Sequence, residues 1–113
     1  QETYEVEKQA KKLAQQLSCI IVVTGAIDFI TDGERMAYVH EGHPMMSKVT
    51  AMGCTATGIV GAFLAVNSDS LEAAAHAMKA MGIAGEKAAS MSRGDGSMMI
   101  NFLDELCNLV AYV

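Results

Sequence analysis

The sequence predicts an α/β fold, and three observations support that prediction. Residues 2–17 place apolar side chains on one helical face, opposite a face of Lys, Glu and Gln. Residues 19–23 follow as an apolar, mostly β-branched run, which is typical of a strand buried on both faces of a parallel sheet. Residues 48–54 form a loop rich in small side chains that leads directly into an apolar helix pattern. A helix, a buried strand and a strand-loop-helix unit together are typical of α/β domains.

Shorter elements are predicted between these segments and after them. Asp32-Gly33 is a hairpin turn signal, and the alternation over residues 35–40 predicts the return strand. A third short strand is predicted near residues 45–49, where it would lead into the loop. The helices expected after the loop are residues 55–66, residues 69–91 with Asp69 and Glu72 as a capping box, and a last helix capped by Ser97.

Composition narrows the classes of function. The 113 residues carry a net charge of −5 with no basic patch, which argues against a nucleic-acid-binding module. The longest apolar stretches, residues 19–23 and 59–66, fall well short of the ~20 residues that span a bilayer. The N-terminus is polar and lacks a signal-peptide core, so we expect a cytoplasmic protein with no membrane partner.

The three cysteines are too widely spaced for a disulfide framework or a paired metal motif. Cys19 and Cys107 lie in aliphatic surroundings and are predicted to be buried small hydrophobes. Cys54 differs because it lies in the small-residue loop before an apolar helix. Amides at such a helix start lack intrahelical partners, and the helix dipole adds positive potential, so the loop suits a phosphate. The position of Cys54 therefore predicts phosphate chemistry beside a thiol.

The sequence assigns no metal ligand. His40 and His43 flank a turn and could form a metal pair, but a solvated or locally hydrogen-bonded turn is the preferred interpretation. Asp28 and Asp32 could hold Mg²⁺, but they lie at opposite ends of a short strand. Turn formation and capping explain these two carboxylates better.

A set of short segments, spread over nearly the whole chain, keeps one order and spacing. The segments are Val22-Val23-Thr24-Gly25-Ala26-Ile27-Asp28, Asp32-Gly33, Gly42-His43-Pro44, Lys48-Val49-Thr50, Gly53-Cys54, Gly61-Ala62-Phe63, Ala84-Gly85-Glu86, Gly94-Asp95-Gly96-Ser97 and Phe102-Leu103-Asp104. Together they resemble the hydroxyethylthiazole kinase family, the thiamin-salvage enzymes of the ribokinase-like superfamily.

The resemblance implies a ribokinase-like three-layer sandwich, of which residues 1–113 would form the C-terminal part of one kinase domain. It implies ATP-dependent phosphorylation of the primary alcohol of 4-methyl-5-(2-hydroxyethyl)thiazole, with Mg²⁺. It also implies a homotrimer whose active site lies between subunits. Most family contacts to ATP and metal would then lie in an N-terminal half that this chain lacks, so the chain alone is expected to be inactive.

The same resemblance assigns roles to residues of the loop. Cys54 takes the catalytic position, and Gly53 supplies an amide of the anion hole around the transferring phosphoryl group. Met52 belongs to the same anion-hole loop, and Ala51 takes the position of a glycine that lies against the substrate. Thr24 matches a threonine that contacts ATP, although such a residue can also end a strand by bonding to the loop backbone.

Two positions depart from the family pattern. Ala51 replaces the usual glycine, which is acceptable if its φ stays negative or if the substrate leaves room for a methyl. Asp95 stands where the family commonly has proline, a difference that concerns loop rigidity. Two other kinds of function stay open. The first is another ribokinase-like enzyme, either a different kinase or an NAD(P)H-hydrate dehydratase; both usually carry Asp at the position of Cys54, which argues against them. The second is a non-catalytic anion-binding half that acts with a partner chain.

Overall fold

The computed structural model describes residues 2–109, which form four α-helices, one 3-10 helix and a three-stranded sheet. The elements in chain order are α1 (Glu2–Leu17), β1 (Ile21–Val23), β2 (Asp28–Thr31), β3 (Met36–Val39), the 3-10 helix Pro44–Lys48, α2 (Met52–Val66), α3 (Ser70–Met91) and α4 (Asp95–Asn108). The α/β class is confirmed. No described helix is long and apolar enough to cross a membrane.

The sheet is an antiparallel meander in the order β1-β2-β3. In its register Val22 lies opposite Ile30, and Ile30 lies opposite Ala37. The prediction of a buried parallel strand at residues 19–23 is therefore wrong over the described residues. A parallel pair needs a crossover of a dozen or more residues, whereas short loops join these strands and favour antiparallel pairing.

The strand whose side chains are buried on both faces of the sheet is β2, not β1. Phe29 and Thr31 point to the face covered by α1, where Tyr38 next to Phe29 hydrogen-bonds Glu7 of α1. Ile30 points to the opposite face and packs against residues of α3. These three of the four β2 side chains are buried, whereas the residues of β1 are half-buried. The sheet therefore lies between two helices, with its central strand in the interior.

The Asp32-Gly33 turn is confirmed, and a buried threonine stabilises it. The Thr31 hydroxyl donates to the Arg35 carbonyl at 2.8 Å and accepts from the Gly33 amide at 3.0 Å. Gly33 has φ of +101°, and an added Cβ would lie 2.7 Å from Cγ of Gln15 on α1. Only glycine fits this position without strain, because both the backbone conformation and the space exclude a side chain.

The third strand predicted near residues 45–49 is wrong, because this segment contains the 3-10 helix Pro44–Lys48. His43 caps the 3-10 helix, since its Nδ1 accepts from the Met45 amide at 3.1 Å. Proline at the first helical position fits the same start, because it has no amide to leave unsatisfied. The helix predicted over residues 55–66 begins earlier, at Met52.

The long helix α3 forms the centre of the chain and begins as predicted at its cap, Asp69. Oδ1 of Asp69 accepts from the Glu72 amide at 3.2 Å. The Glu72 carboxylate instead accepts from Nδ2 of Asn67 at 3.3 Å, so only half of the capping box is present. The buried side of α3 carries mostly small residues and methionines. Small side chains of this kind let neighbouring segments approach the helix closely.

The last helix is capped differently from the prediction. Its N-cap is Gly94, and Ser97 lies three positions inside the helix, where its hydroxyl accepts from the amides of Arg93 and Gly94 at 3.0 and 3.2 Å. The predicted role of Ser97 at the helix start is correct, but its position is not the N-cap. From α4, Met98 and Phe102 pack into one core cluster against α3.

Candidate functional site

A cleft of about 700 Å³ opens beside the start of α2. Thr24, at the end of β1, lines the cleft together with Ala51, Met52 and Gly53. The segment between β3 and α2 forms a further wall. The structure thus brings together two of the sequence-predicted groups, the strand-end threonine and the loop before α2, although they are far apart along the chain.

The first turn of α2 supplies unpaired amides to this cleft. Ala51 is the N-cap, and its carbonyl accepts from the Thr55 amide at 3.0 Å and from the Thr55 hydroxyl at 2.9 Å. Alanine has no side-chain acceptor, so the Met52 and Gly53 amides gain no capping hydrogen bond. The first turn also lacks an acidic residue. The helix dipole therefore acts on the cleft without a compensating carboxylate, which favours an anion there.

The backbone conformation of Ala51 shows whether alanine fits the position where the family usually has glycine. Ala51 has φ of +67° and ψ of 17°, which is the left-handed conformation that glycine favours. The condition of a negative φ is therefore not met, and the methyl costs backbone strain. At Gly53, by contrast, an added Cβ would meet nothing within 4 Å. Gly53 is therefore not required by packing inside this chain.

Cys54 lies at the third position of α2 and is exposed. It is not among the residues that line the cleft, so the structure places its thiol beside the cavity rather than inside it. Cys19 and Cys107 are also exposed in the described residues, which contradicts the prediction that both are buried. Their aliphatic neighbours belong to β1 and α4, and these elements bury other side chains. Apolar surroundings in the sequence therefore did not fix the direction of either thiol.

Comparison with known proteins decides the family of the chain. A sequence profile described as the hydroxyethylthiazole kinase family matches residues 1–112. The chain belongs to the hydroxyethylthiazole kinase family. The resemblance carried by the short segments is thereby confirmed.

Individual relatives agree with the family. A hydroxyethylthiazole kinase of Desulfotalea psychrophila is 45% identical over 109 residues, covering 96% of this chain and 40% of the relative. One from Granulibacter bethesdensis is 48% identical over 97 residues, covering 86% of this chain and 35% of the relative. A solved structure of the hydroxyethylthiazole kinase protein from Pyrococcus horikoshii OT3 has a TM-score of 0.88 at 34% identity, covering 93% of this chain and 41% of that chain. The chain spans about 40% of the length of such relatives.

Two cleft residues of this hydroxyethylthiazole kinase family member were not assigned by sequence reasoning. Asp28 lines the cleft, and its Oδ1 accepts from the Gly25 amide at 3.1 Å. The capping role expected for Asp28 is therefore correct but incomplete. Burial raises the pKa of Asp28, and the Gly25 hydrogen bond offsets part of this rise. No sequence signal could have separated this role from capping, because β2 places the carboxylate on the cleft side.

The second residue is His43, which also lines the cleft. Its Nδ1 accepts a hydrogen bond from the Met45 amide, as expected for a locally bonded turn. In the neutral imidazole the proton then resides on Nε2, so the ring can donate a hydrogen bond from its other nitrogen. The signal available in the sequence was Pro44, which marks a helix start at its first position and so makes the residue before it a cap.

Proposed function

We propose that the full-length protein uses ATP to phosphorylate the primary alcohol of 4-methyl-5-(2-hydroxyethyl)thiazole in thiamin salvage. Membership of the hydroxyethylthiazole kinase family supports the reaction. The observation that carries the proposal is that Thr24 and the loop 51–53 line one cleft, at a helix start with unpaired amides. Phosphoryl transfer needs mainly positioning and stabilisation of charge, and both are available at such a helix start.

The residues have separate roles in this reaction. The substrate oxygen forms a bond to the γ-phosphorus of ATP while the bond from that phosphorus to the departing ADP oxygen breaks. The amides of Met52 and Gly53 donate to the oxygens of the transferring group, where negative charge is concentrated. Cys54, at the third position of α2 beside the cleft, accepts the proton of the alcohol. Thr24, which lines the same cleft, contacts ATP.

The described residues suit ATP better than they suit Mg²⁺, the two groups that the reaction uses. The start of α2 suits a phosphate of ATP. For Mg²⁺, residues 2–109 contain no group of three or more His, Cys, Asp or Glu side chains arranged to hold a metal ion. The two carboxylates at the cleft, Asp28 and Glu41, do not make a ligand set on their own.

The finer architecture is part of the same proposal. Residues 1–113 form the C-terminal part of one ribokinase-like three-layer domain, supported by the sheet between α1 and α3 and by the TM-score of 0.88. The protein assembles as a cytoplasmic homotrimer and needs the N-terminal half for activity. The exposed small residues of α2, at which an added Cβ meets nothing within 4 Å, are compatible with assembly: Gly58 and Gly61.

A coupled assay of ADP release by the full-length protein tests the function. The thiazole alcohol is offered in parallel with a hydroxymethylpyrimidine alcohol and with an NAD(P)H hydrate, which represent two alternative activities within the superfamily. We expect turnover with the thiazole alcohol in preference to both. The 113-residue chain alone serves as the matched control and should give no turnover. Preferred turnover of either competing substrate, or none of the thiazole, would overturn the proposal.

A further inference from the structure

The segment between β3 and α2 lies on α3 while it forms one wall of the cleft. Its residues at the cleft include Gly42, His43 and Met46. The Gly42 amide donates to Oε1 of Glu86 on α3 at 2.8 Å. Gly42 itself has φ of +144°, a conformation that side chains rarely adopt. Helix α3, which also lines the cleft at Gly82, therefore holds the backbone at the point where the wall begins.

Two glycines of α3 allow this close approach. A Cβ added at Gly82 would lie 2.5 Å from the carbonyl carbon of Glu41, and its nearest neighbour would be the oxygen of that carbonyl. A Cβ added at Gly85 would lie 2.9 Å from Cγ of Met46 and closer still to its sulfur. Both glycines are buried. The two obstacles differ in kind, because Glu41 presents rigid backbone and Met46 presents the end of a flexible side chain.

We propose that Gly82, Gly85 and Glu86 form a seat on α3 that positions the wall 41–48 for nucleotide binding. This inference rests on the proposed function. The wall lines the same cavity as Thr24, the residue assigned to ATP, so displacement of the wall changes the shape of the nucleotide site. Gly85 and Glu86 do not line the cleft, and Gly82 reaches it only with its backbone, beside Glu41. They are positioning residues that act through the backbone of Gly42 and its neighbours.

The contacts of Glu86 distinguish positioning from general support of the fold. Glu86 is exposed, and its carboxylate accepts a hydrogen bond from the Gly42 amide. The core that α3 shares with α4 also contains Val49, and Met45 and Met46 of the wall pack against it. Glu86 is not part of this core, whose other buried members are Met81, Ala84, Ala88, Met98 and Phe102. Loss of the Glu86 acceptor should therefore affect the wall and leave that core intact.

The first test compares Glu86→Ala with Glu86→Gln in the full-length protein. Glutamine keeps an acceptor oxygen for the Gly42 amide, whereas alanine removes it. We expect Glu86→Ala to raise the KM for ATP about fivefold, the equivalent of one ordinary hydrogen bond. The kcat should stay within about twofold, because the transition-state contacts at α2 are unchanged. Glu86→Gln and the exposed α1 variant Glu5→Ala should behave like the wild type.

Amide hydrogen exchange over residues 41–48 provides a measurement that does not depend on activity. Exchange should accelerate in Glu86→Ala and stay at the wild-type rate in Glu86→Gln. Equal exchange in all three proteins, or a Glu86→Gln variant as impaired as Glu86→Ala, would overturn the proposal. A wild type without kinase activity would overturn the proposed function alone, since the exchange measurement still tests whether α3 holds the wall.

The second test uses the difference between the two glycines. Gly85→Ala should raise the KM for ATP. Adding Met46→Ala should bring the KM most of the way back to the wild-type value, because shortening Met46 makes room for the new methyl. Adding Glu41→Ala to Gly82→Ala should not lower the raised KM, since the obstacle is the Glu41 backbone carbonyl. Failure of the first rescue, or success of the second, would contradict the geometry of the seat.

Discussion

Arg35 and Asp69 form a bidentate salt bridge between the hairpin turn and the start of α3. Nη1 and Nη2 of Arg35 donate to Oδ2 and Oδ1 of Asp69 at 3.0 and 3.1 Å. The same Asp69 accepts from the Glu72 amide as the cap of α3. Arg35 also donates from Nε to Asp32 at 2.9 Å. One guanidinium thereby fixes the end of the sheet against the helix that supports the cleft wall.

Substitutions at Asp69 should separate its two roles. Asp69→Asn keeps an acceptor for the Glu72 amide but weakens the pair with Arg35, so we expect a small decrease in the free energy of unfolding. Asp69→Ala removes both interactions and should lower the urea midpoint clearly further. Arg35→Gln keeps the cap but loses the contact with Asp32 as well as the pair with Asp69, so it should lower the midpoint at least as far as Asp69→Asn. Equal midpoints for the Asn and Ala variants would show that the cap contributes nothing.

The stability contributed by Asp32 should disappear in acid. Amide hydrogen bonds from Glu34 and Arg35, together with the Arg35 side chain, lower the pKa of Asp32 to about 2 from its ordinary 3.8. Because the pKa is lower in the folded state, the carboxylate stabilises the fold fully above pH 3.8. That contribution is lost as the pH falls toward 2.

Urea unfolding of the wild type and of Asp32→Asn at several pH values measures this loss. The difference in the free energy of unfolding between the two proteins should be constant at pH 5 and above. It should shrink steadily as the pH is lowered through the range between the unfolded and folded pKa values. A difference that stays the same from neutral pH to pH 3 would contradict the assigned hydrogen bonds.

Restoring glycine at position 51 should relieve strain. Left-handed backbone costs a non-glycine residue about 1–2 kcal/mol, and the greater freedom of glycine in the unfolded chain cancels about 0.5–1 kcal/mol of the gain. We therefore expect Ala51→Gly to raise the free energy of unfolding by about 0.5 kcal/mol. The KM for the thiazole alcohol should fall, because a methyl leaves the cleft.

The matched control is Ala62→Gly, an exposed position in the interior of the same helix. There the backbone is helical, so glycine should cost about 1 kcal/mol. The two Ala→Gly changes in one helix should thus have opposite signs in urea denaturation. A loss of stability at both positions would refute the left-handed conformation of Ala51.

Cys54 variants should separate proton transfer from positioning. We expect Cys54→Ala to lose at least about a hundredfold in kcat, the lower end of the ~10²–10⁴ that a general base contributes. Cys54→Asp should retain or improve turnover, since a carboxylate is the more ordinary base. Cys19→Ala and Cys107→Ala are controls at the other exposed cysteines and should keep turnover within about twofold of the wild type. Wild-type kcat in Cys54→Ala would remove the catalytic assignment.

Sequence reasoning succeeded where the determining signal is local. The periodicity of α1, the Asp32-Gly33 turn and the Asp69 cap each depend on residues within a few positions of one another. It failed for the third strand because His43 and Pro44 start a 3-10 helix, and that hydrogen bond competes with strand pairing. The apolar character of residues 45–49 did not reveal this competition.

The residues proposed for the site came from the sequence, whereas the shape of the cleft did not. The family segments identified Thr24 and the loop 51–53, which the cleft brings together. The left-handed φ of Ala51 and the presence of Asp28 at the cleft depend on tertiary packing, which a linear pattern does not contain. The direction of β1 was missed for a related reason, because a run of apolar β-branched residues is compatible with either parallel or antiparallel pairing.

The exposure of α2 has a consequence for ligand affinity. In this chain α2 buries no residue completely and packs mainly on α3, so its opening should require less free energy than that of α3. An anion held by the amides of Met52 and Gly53 binds only the ordered helix. Occupancy of the cleft and order in α2 are therefore thermodynamically linked: the fraction of molecules with α2 formed sets the apparent dissociation constant, and each bound ligand increases that fraction.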